Sequence, residues 1–311
     1  MNTKNQKVLF IGGLGRSGST LIEKLVNEFP GTFALGETLH LWERGIRDNE
    51  KCSCGEQFDA CPHWQAVGEL AFGGWQNIDL EKMISLRWKT DRSRSLPKII
   101  RAHHTGEISP DQDEYISHLG QVINASAEIA GHPDVLIESS KHLSTAALMS
   151  LEPSLDVRVV HLIRDPRGVS YSWTKKIDRP ETDGEFMPRY KARRTATRWV
   201  TDNLGFEFLN KSLQSEIVRY ETFLDEPEQV LETIANLIDI DISGVKILSD
   251  GKAKITQDMH SVAGNPMRFN AGDELVLRKD EAWRKRLSTR DKLVVTTICA
   301  PLMLRYGYKL N

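Results

Sequence analysis

Neither sign of charge is in excess in this chain: 41 basic and 43 acidic side chains among 311 residues leave a formal net charge of −2. That balance argues against a generalised nucleic-acid or membrane surface, so any cations that matter must be gathered into a local pocket. No apolar run approaches the roughly 20 residues of a membrane-spanning helix. The opening MNTKNQK carries no apolar targeting core, so no membrane span is expected and a cytoplasmic setting is. Cysteine is scarce as well, four residues being too few for a disulfide scaffold of this size. Three sit close together, Cys52, Cys54 and Cys61, with His63 just beyond. They offer four ligands, but without a paired C-x-x-C or a second half-site. They are read as reduced structural thiols, with a zinc knuckle as the alternative, and no metal is expected. Cys299 reads as a buried thiol in the last helix. A chain of this length buries roughly three quarters of its extended surface without such staples, which favours one large domain over residues 1–311. There is no internal repeat and no low-complexity segment, and oligomeric state leaves no mark in the sequence.

A lysine is missing where one would be looked for. Residues 8–21, VLFIGGLGRSGSTL, put Gly13, Gly18, Ser19 and Thr20 on the G-x-x-x-x-G-K-[ST] spacing of a phosphate-binding loop, but Ser19 stands at the lysine position. Arg16 is the only cation in the loop. The lysine and a hydroxyl-held Mg²⁺ serve a nucleoside triphosphate; a loop without them suits a less highly charged group. Val8 to Ile11 are predicted to form a buried parallel strand, and Gly12 to Gly15 a turn free to take positive φ. Ser17 or Ser19 is expected to cap a helix through about Phe29, aiming backbone N–H groups and a helix dipole at an anion.

Strand signals recur at residues 33–37, 134–139, 157–163 and 216–220, each followed by a helix-like pattern. This alternation implies a three-layer α/β/α fold, P-loop-like, with a mainly parallel central sheet and ligands at the carboxyl ends of its strands. The stretch from about 44 to 110 looks irregular and is read as an insertion over the active face. A second cluster, HLIRDPRGVSYSWTKK (161–176), ends a strand at Ile163. It then presents Arg164, a helix-starting Pro166, and Ser172 on that helix. Arg164 and Ser172 suit a second phosphate; alternatively Arg164–Asp165 is a surface pair.

Together the loop and the strand-R-D-P-R-x-x-x-x-S segment resemble the sulfotransferases that use 3′-phosphoadenosine 5′-phosphosulfate. Further likeness lies in RYETFLDEPEQVLETI (219–234), in GNPMRF (264–269) before Trp283 and Arg284, and in LGETLH (35–40). Within the family the arginine-type loop looks closer to the tyrosylprotein and bacterial branch, although that branch's arginine two residues after the glutamate is Leu39 here. The resemblance implies that Gly15, Arg16, Ser17, Gly18, Ser19 and Thr20 hold the 5′-phosphosulfate. Arg164 and Ser172 would hold the 3′-phosphate, and Tyr220, Asn265 and Arg268 would complete the nucleotide site. It places Glu37 as general base and Lys141 on the sulfuryl oxygens, with adenosine 3′,5′-bisphosphate as product. Sulfuryl transfer needs orientation, charge stabilisation on the leaving phosphate and one base, so no metal is required.

A base works best when burial lifts its pKa toward ~6–7, and that is the expectation for Glu37, the alternative being a salt-bridged loop carboxylate. His40 is a rival base, followed by His103 and His104. The acceptor is expected to be a small-molecule, glycan or lipid hydroxyl, and nucleic acid is not expected. Trp64, Trp75, Trp88 and Trp173 either line its pocket or belong to the core. Arg193 and Arg194, on a basic helix over 189–203, read as a solvated face rather than as acceptor contacts. Two other classes share parts of the pattern: a P-loop kinase, which should show the loop lysine and a magnesium-binding Asp after a strand, and a non-catalytic nucleotide-binding module, which would not need Glu37 or Lys141.

Overall fold

A run of apolar residues on both faces of a strand requires cover on both sides, and β1 (Gln6–Gly13) is such a run, buried from Lys7 onward. The computed structural model describes residues 5–179, 186–249, 251–257, 259–269 and 274–311; the first four residues of the opening segment lie outside it. β1 pairs in parallel with β3 (Val135–Lys141) on one side and β4 (Leu155–Ile163) on the other. β2 (Thr32–Gly36) and β5 (Ser215–Arg219) complete a five-stranded, all-parallel sheet in the order β2-β3-β1-β4-β5.

Alternate residues of β1 face opposite layers. Leu9 and Ile11 pack with α1 (Ser19–Val26) and with a later helix, Pro227–Leu237, through Leu25, Val26, Leu231 and Ile234. Val8 and Phe10 pack toward the long helix Pro110–Ile129 and the helix Ala192–Leu209, through Tyr115, Ile123 and Phe206. The three-layer α/β/α expectation therefore holds. Because β1 has β3 and β4 on opposite sides, the loops after these strands diverge and open a crevice at their carboxyl ends.

The stretch read as irregular, about 44–110, is largely helical, with α2 (Pro62–Phe72), α3 (Leu80–Thr90) and α4 (Leu96–Thr105). Local chemistry explains this: Pro62 sits in the first turn of α2, and Asp79 caps α3 by accepting from the Lys82 N–H at 3.0 Å. Its core is aromatic. Trp64 and Trp75 belong to that core rather than to a ligand pocket, and their indole N–H groups donate to the carbonyls of His260 and Trp64, each at 2.8 Å. Trp88 is exposed, with the Arg92 guanidinium 3.9 Å over its ring. Continuing in chain order, α5 is the helix Pro110–Ile129, α6 is Leu143–Met149, α7 is Pro166–Thr174 and α8 is Ala192–Leu209. Tyr220–Asp225 is α9, and Pro227–Leu237 is α10. Arg193 and Arg194 are exposed on α8, as a solvated face requires. Cys299 is buried in the last helix, Thr289–Arg305. Among the described residues no helix is long and apolar enough to cross a membrane.

Candidate active site

The carboxyl ends of β1, β2, β3 and β4 open into a cavity of about 910 Å³, walled on one side by the loop Gly13–Thr20. Two glycines shape that loop. Gly13 has φ +132°, and a Cβ there would stand 2.3 Å from the Leu162 carbonyl oxygen; Gly18 has φ +99°, and a Cβ there would meet the Tyr220 ring at 2.5 Å. Gly18, not Ser17 or Ser19, precedes the first turn of α1, and no side chain caps that turn. The expected serine cap is thus corrected: a left-handed glycine brings the chain into α1 and leaves side-chain oxygens off its first N–H groups. The helix also ends at Val26 rather than Phe29. The positive φ falls at Gly13, Arg16 and Gly18, not throughout Gly12–Gly15. Gly15, Arg16, Gly18, Ser19 and Thr20 line the cavity, whereas Ser17 is buried and does not.

The facing wall is built by parallel strands ending side by side. Gly36 pairs with Glu138, and Gly12 with Lys141 across a register shift, so Glu37 and Lys141 emerge at the same edge. Lys141 Nζ donates to Glu37 Oε1 at 2.5 Å and to the Ser139 carbonyl at 2.8 Å. Its backbone is left-handed at φ 71°, as is that of Arg16 at φ 74°. For a non-glycine residue this costs about 1–3 kcal/mol and concentrates at ligand sites. The nearly buried Glu37, 13% exposed, also faces His40, with Nε2 3.6 Å from Oε2.

The expected upward shift of Glu37 is reversed. Burial pushes its carboxyl up and is the largest single influence, but Lys141, His40 and Arg44 together outweigh it and hold the group at about 2. His40 is displaced to about 4, because burial and the surrounding cations outweigh Glu37. It is a neutral imidazole at the cavity wall. His103 instead contacts the Ala147 carbonyl at 2.9 Å, and neither it nor His104 lines the cavity.

Two buried carboxyls beneath this edge escaped sequence reading. Glu138 accepts from the Thr38 N–H and hydroxyl at 2.9 and 2.8 Å and from Ser140, and Glu23 accepts from the Ser139 hydroxyl at 2.9 Å. Burial pushes both up to about 7. A carboxylate directly after the apolar run Val135–Ile137 of a buried strand was the signal available for Glu138. For such carboxyls the folded state holds more protons than the unfolded chain between about 4.5 and 7. Their stabilisation is complete below the unfolded value and is lost as pH rises through the folded one. Glu23→Gln is therefore expected to flatten the fall in melting temperature between pH 5 and 8 by a few degrees. Parallel melting curves for variant and parent would contradict this.

A second cationic corner lies across the loop. Arg164 donates to the Arg16 carbonyl at 3.0 Å and lies over the Tyr220 ring at 4.6 Å, while Tyr220 itself packs against Gly18. Ser172 on α7 and Asn265 line the same cavity. Trp173 does too, but its indole N–H donates to the Gly15 carbonyl at 3.0 Å, so it braces the loop. Arg268 is placed differently from expectation. It is buried and does not line the cavity, donating to the carbonyls of Gly264 and Lys51 at 2.8 and 3.3 Å, because it ties its own loop to the loop of Lys51.

Among known proteins, a family described as "Sulfotransferase family" matches residues 9–244. The chain belongs to the sulfotransferase family. It is 22% identical to carbohydrate sulfotransferase 7 of Mus musculus, over 98% of this chain and 75% of that protein. It is likewise 22% identical to carbohydrate sulfotransferase 5 of Homo sapiens, over 94% of this chain and 75% of that protein. In fold it is similar to the sulfotransferase domain of the curacin biosynthetic pathway, with a TM-score of 0.50, 16% identity and 98% of each chain covered. It is similar also to that of the Synechococcus olefin synthase, with a TM-score of 0.50, 20% identity, and 100% and 98% coverage.

Membership makes the protein a sulfotransferase-family enzyme and implies 3′-phosphoadenosine 5′-phosphosulfate as its donor. The site suits that donor in its charge distribution: Arg16 and the open N-terminus of α1 sit at one corner, and Arg164 with Ser172 at another. If Arg164 makes one charge-assisted hydrogen bond to the 3′-phosphate, worth about 1.5–3 kcal/mol, Arg164→Ala should weaken donor binding roughly 10- to 150-fold. Adenosine 5′-phosphosulfate, which lacks that phosphate, should lose far less. Equal losses for both nucleotides in calorimetry would remove Arg164 from this role.

Proposed function

We propose that this sulfotransferase moves the sulfuryl group of 3′-phosphoadenosine 5′-phosphosulfate to a carbohydrate hydroxyl, with Glu37 as general base. The observation carrying the proposal is the Glu37–Lys141 pair at one edge of the sheet, in the same cavity as the phosphate loop. In the transfer the acceptor oxygen forms a bond to sulfur as the bond from sulfur to the 5′-phosphate oxygen breaks. That oxygen keeps the electron pair, steadied by Arg16 and the loop N–H groups, and Glu37 takes the acceptor's proton.

Lys141 links the two events. Its ammonium is held by Glu37 until partly negative sulfuryl oxygens compete for it. As it turns to them, Glu37 loses the cation that depresses its pKa, and burial then strengthens it as a base.

Carbohydrate is favoured because the curated relatives are carbohydrate sulfotransferases. The cavity also presents Arg44, Asp48, Arg198, Thr201 and Asp202, a set suited to hydroxyl-rich acceptors. The test is transfer from labelled donor to a panel of glycans, lipids, phenols and tyrosyl peptides, with a labelled glycan expected. Label appearing only on a lipid, phenol or peptide would overturn the carbohydrate assignment. Binding of adenosine 3′,5′-bisphosphate without transfer to any acceptor would favour a nucleotide-binding module, and magnesium-dependent ATP consumption a kinase. Against the kinase, β4 ends in Ile163 and Arg164 where a magnesium-binding Asp would be needed.

A further inference from the structure

Three thiols and an imidazole meet at a point that local spacing does not reveal. The ligand atoms of Cys52, Cys54, Cys61 and His260 all lie within 4.8 Å of one another, although His260 follows Cys61 by 199 residues. Cys54 Sγ is 3.7 Å from Cys61 Sγ, and His260 Nδ1 is 3.2 Å from Cys61 Sγ and 3.7 Å from Cys52 Sγ. A tetrahedral zinc with Zn–S near 2.3 Å and Zn–N near 2.0–2.1 Å sets its ligand atoms roughly 3.5–3.8 Å apart. All four cysteines of the chain are free thiols rather than disulfides.

We propose that Cys52, Cys54, Cys61 and His260 form a structural zinc site. A Cys₃His set fills the tetrahedron with protein ligands, leaving no open position for water or substrate, so the ion is structural rather than catalytic. The three thiols lose their protons as the metal binds. Cys54, the exposed member, provides the entry path.

His63, the neighbour in sequence, has another part. Its ring stacks on that of His260 at 4.9 Å and 15°, and Phe33, 5.0 Å from His63, stacks on His260 at 6.1 Å and 25°, so both rings pack to one side of the ligating imidazole and brace its plane. The metal would reinforce a junction already stitched by hydrogen bonds. The Ser53 hydroxyl donates to the Met259 carbonyl at 2.7 Å and accepts from the Ser261 N–H at 2.8 Å, and the Ser53 N–H donates to the Ser261 carbonyl at 3.1 Å. The chain leaving this junction reaches Gly264, where a Cβ would stand 3.0 Å from Glu37 Oε1, and Asn265 on the cavity wall. Zinc here pins the loop that closes over the catalytic carboxylate.

Metal analysis of the full-length protein, purified under reducing conditions from zinc-containing medium, tests this without measuring activity. About one zinc per chain is expected. Cys52→Ser and His260→Ala should lose at least about nine tenths of it, while His63→Ala keeps it. Because those variants risk misfolding, the unaltered chain provides a second measurement. Stripped with a chelator and titrated with Co²⁺, it should develop tetrahedral d–d bands and a thiolate-to-cobalt charge-transfer band that saturate at one equivalent and vanish on adding zinc. A protein that carries no zinc and gives no such cobalt spectrum overturns the proposal. So does a metal that is lost in His63→Ala and retained in His260→Ala.

Discussion

Glu37→Gln should lower turnover by about 10²–10⁴-fold while leaving donor affinity within a factor of a few, because it removes one proton acceptor and little else. The amide oxygen can still accept from Lys141, which donates to Glu37 Oε1 at 2.5 Å in the parent, so the cavity edge keeps its packing. The measurements are single-turnover transfer and calorimetric binding of adenosine 3′,5′-bisphosphate, with a melting curve to show that the variant is folded. Turnover near the parent level would remove Glu37 from proton transfer. His40 would then be the base to examine, since it is a neutral imidazole 3.6 Å from the same carboxylate. The opposite pattern, lost binding with intact turnover at saturating donor, would make Glu37 a binding group.

Lys141→Met should cost about 10²–10³-fold in kcat/KM and, more tellingly, change the shape of the pH profile. In the parent free enzyme Glu37 is held at about 2, so it is ionised throughout pH 5–8 and contributes no acid limb to kcat/KM there. Without the ammonium, burial is the dominant influence and raises the carboxyl. The variant's rate should then climb with pH across a range where the parent's is flat. A pH profile for the variant as flat as the parent's would show that Lys141 does not govern the charge state of Glu37. The same pair has a stability consequence of the opposite sign to that of Glu23. A depressed carboxyl contributes stability above its unfolded value near 4.5 and loses it as pH falls toward about 2.

The alternation of apolar strands with helical segments carried the sheet in the sequence, and the strand signals at 33–37, 134–139, 157–163 and 216–220 match β2 to β5 within a few residues. Periodicity and punctuation are local properties, and a parallel sheet built from crossover units follows from them. The G-x-x-x-x-G spacing and the R-D-P-R segment were legible for the same reason: each cationic corner of the cavity is built within one strand-turn-helix unit. The helices of 44–110 are short, 10 or 11 residues each, and are separated by turns rich in glycine or arginine, so no long periodic run marks them.

What only the tertiary structure decided are relations between residues far apart in the chain. Glu37 and Lys141 are 104 residues apart, and their contact reverses the direction in which burial alone would move the carboxyl. Arg268 faces inward because carbonyls from two loops claim its guanidinium. His260, not His63, joins the three thiols, since the fold brings a loop from the far end of the chain onto residues 52–61. Sequence determined which chemical groups this protein has and which elements carry them. Charge states and ligand sets were decided by folding, because Coulomb energy and coordination depend on distance through space rather than along the chain.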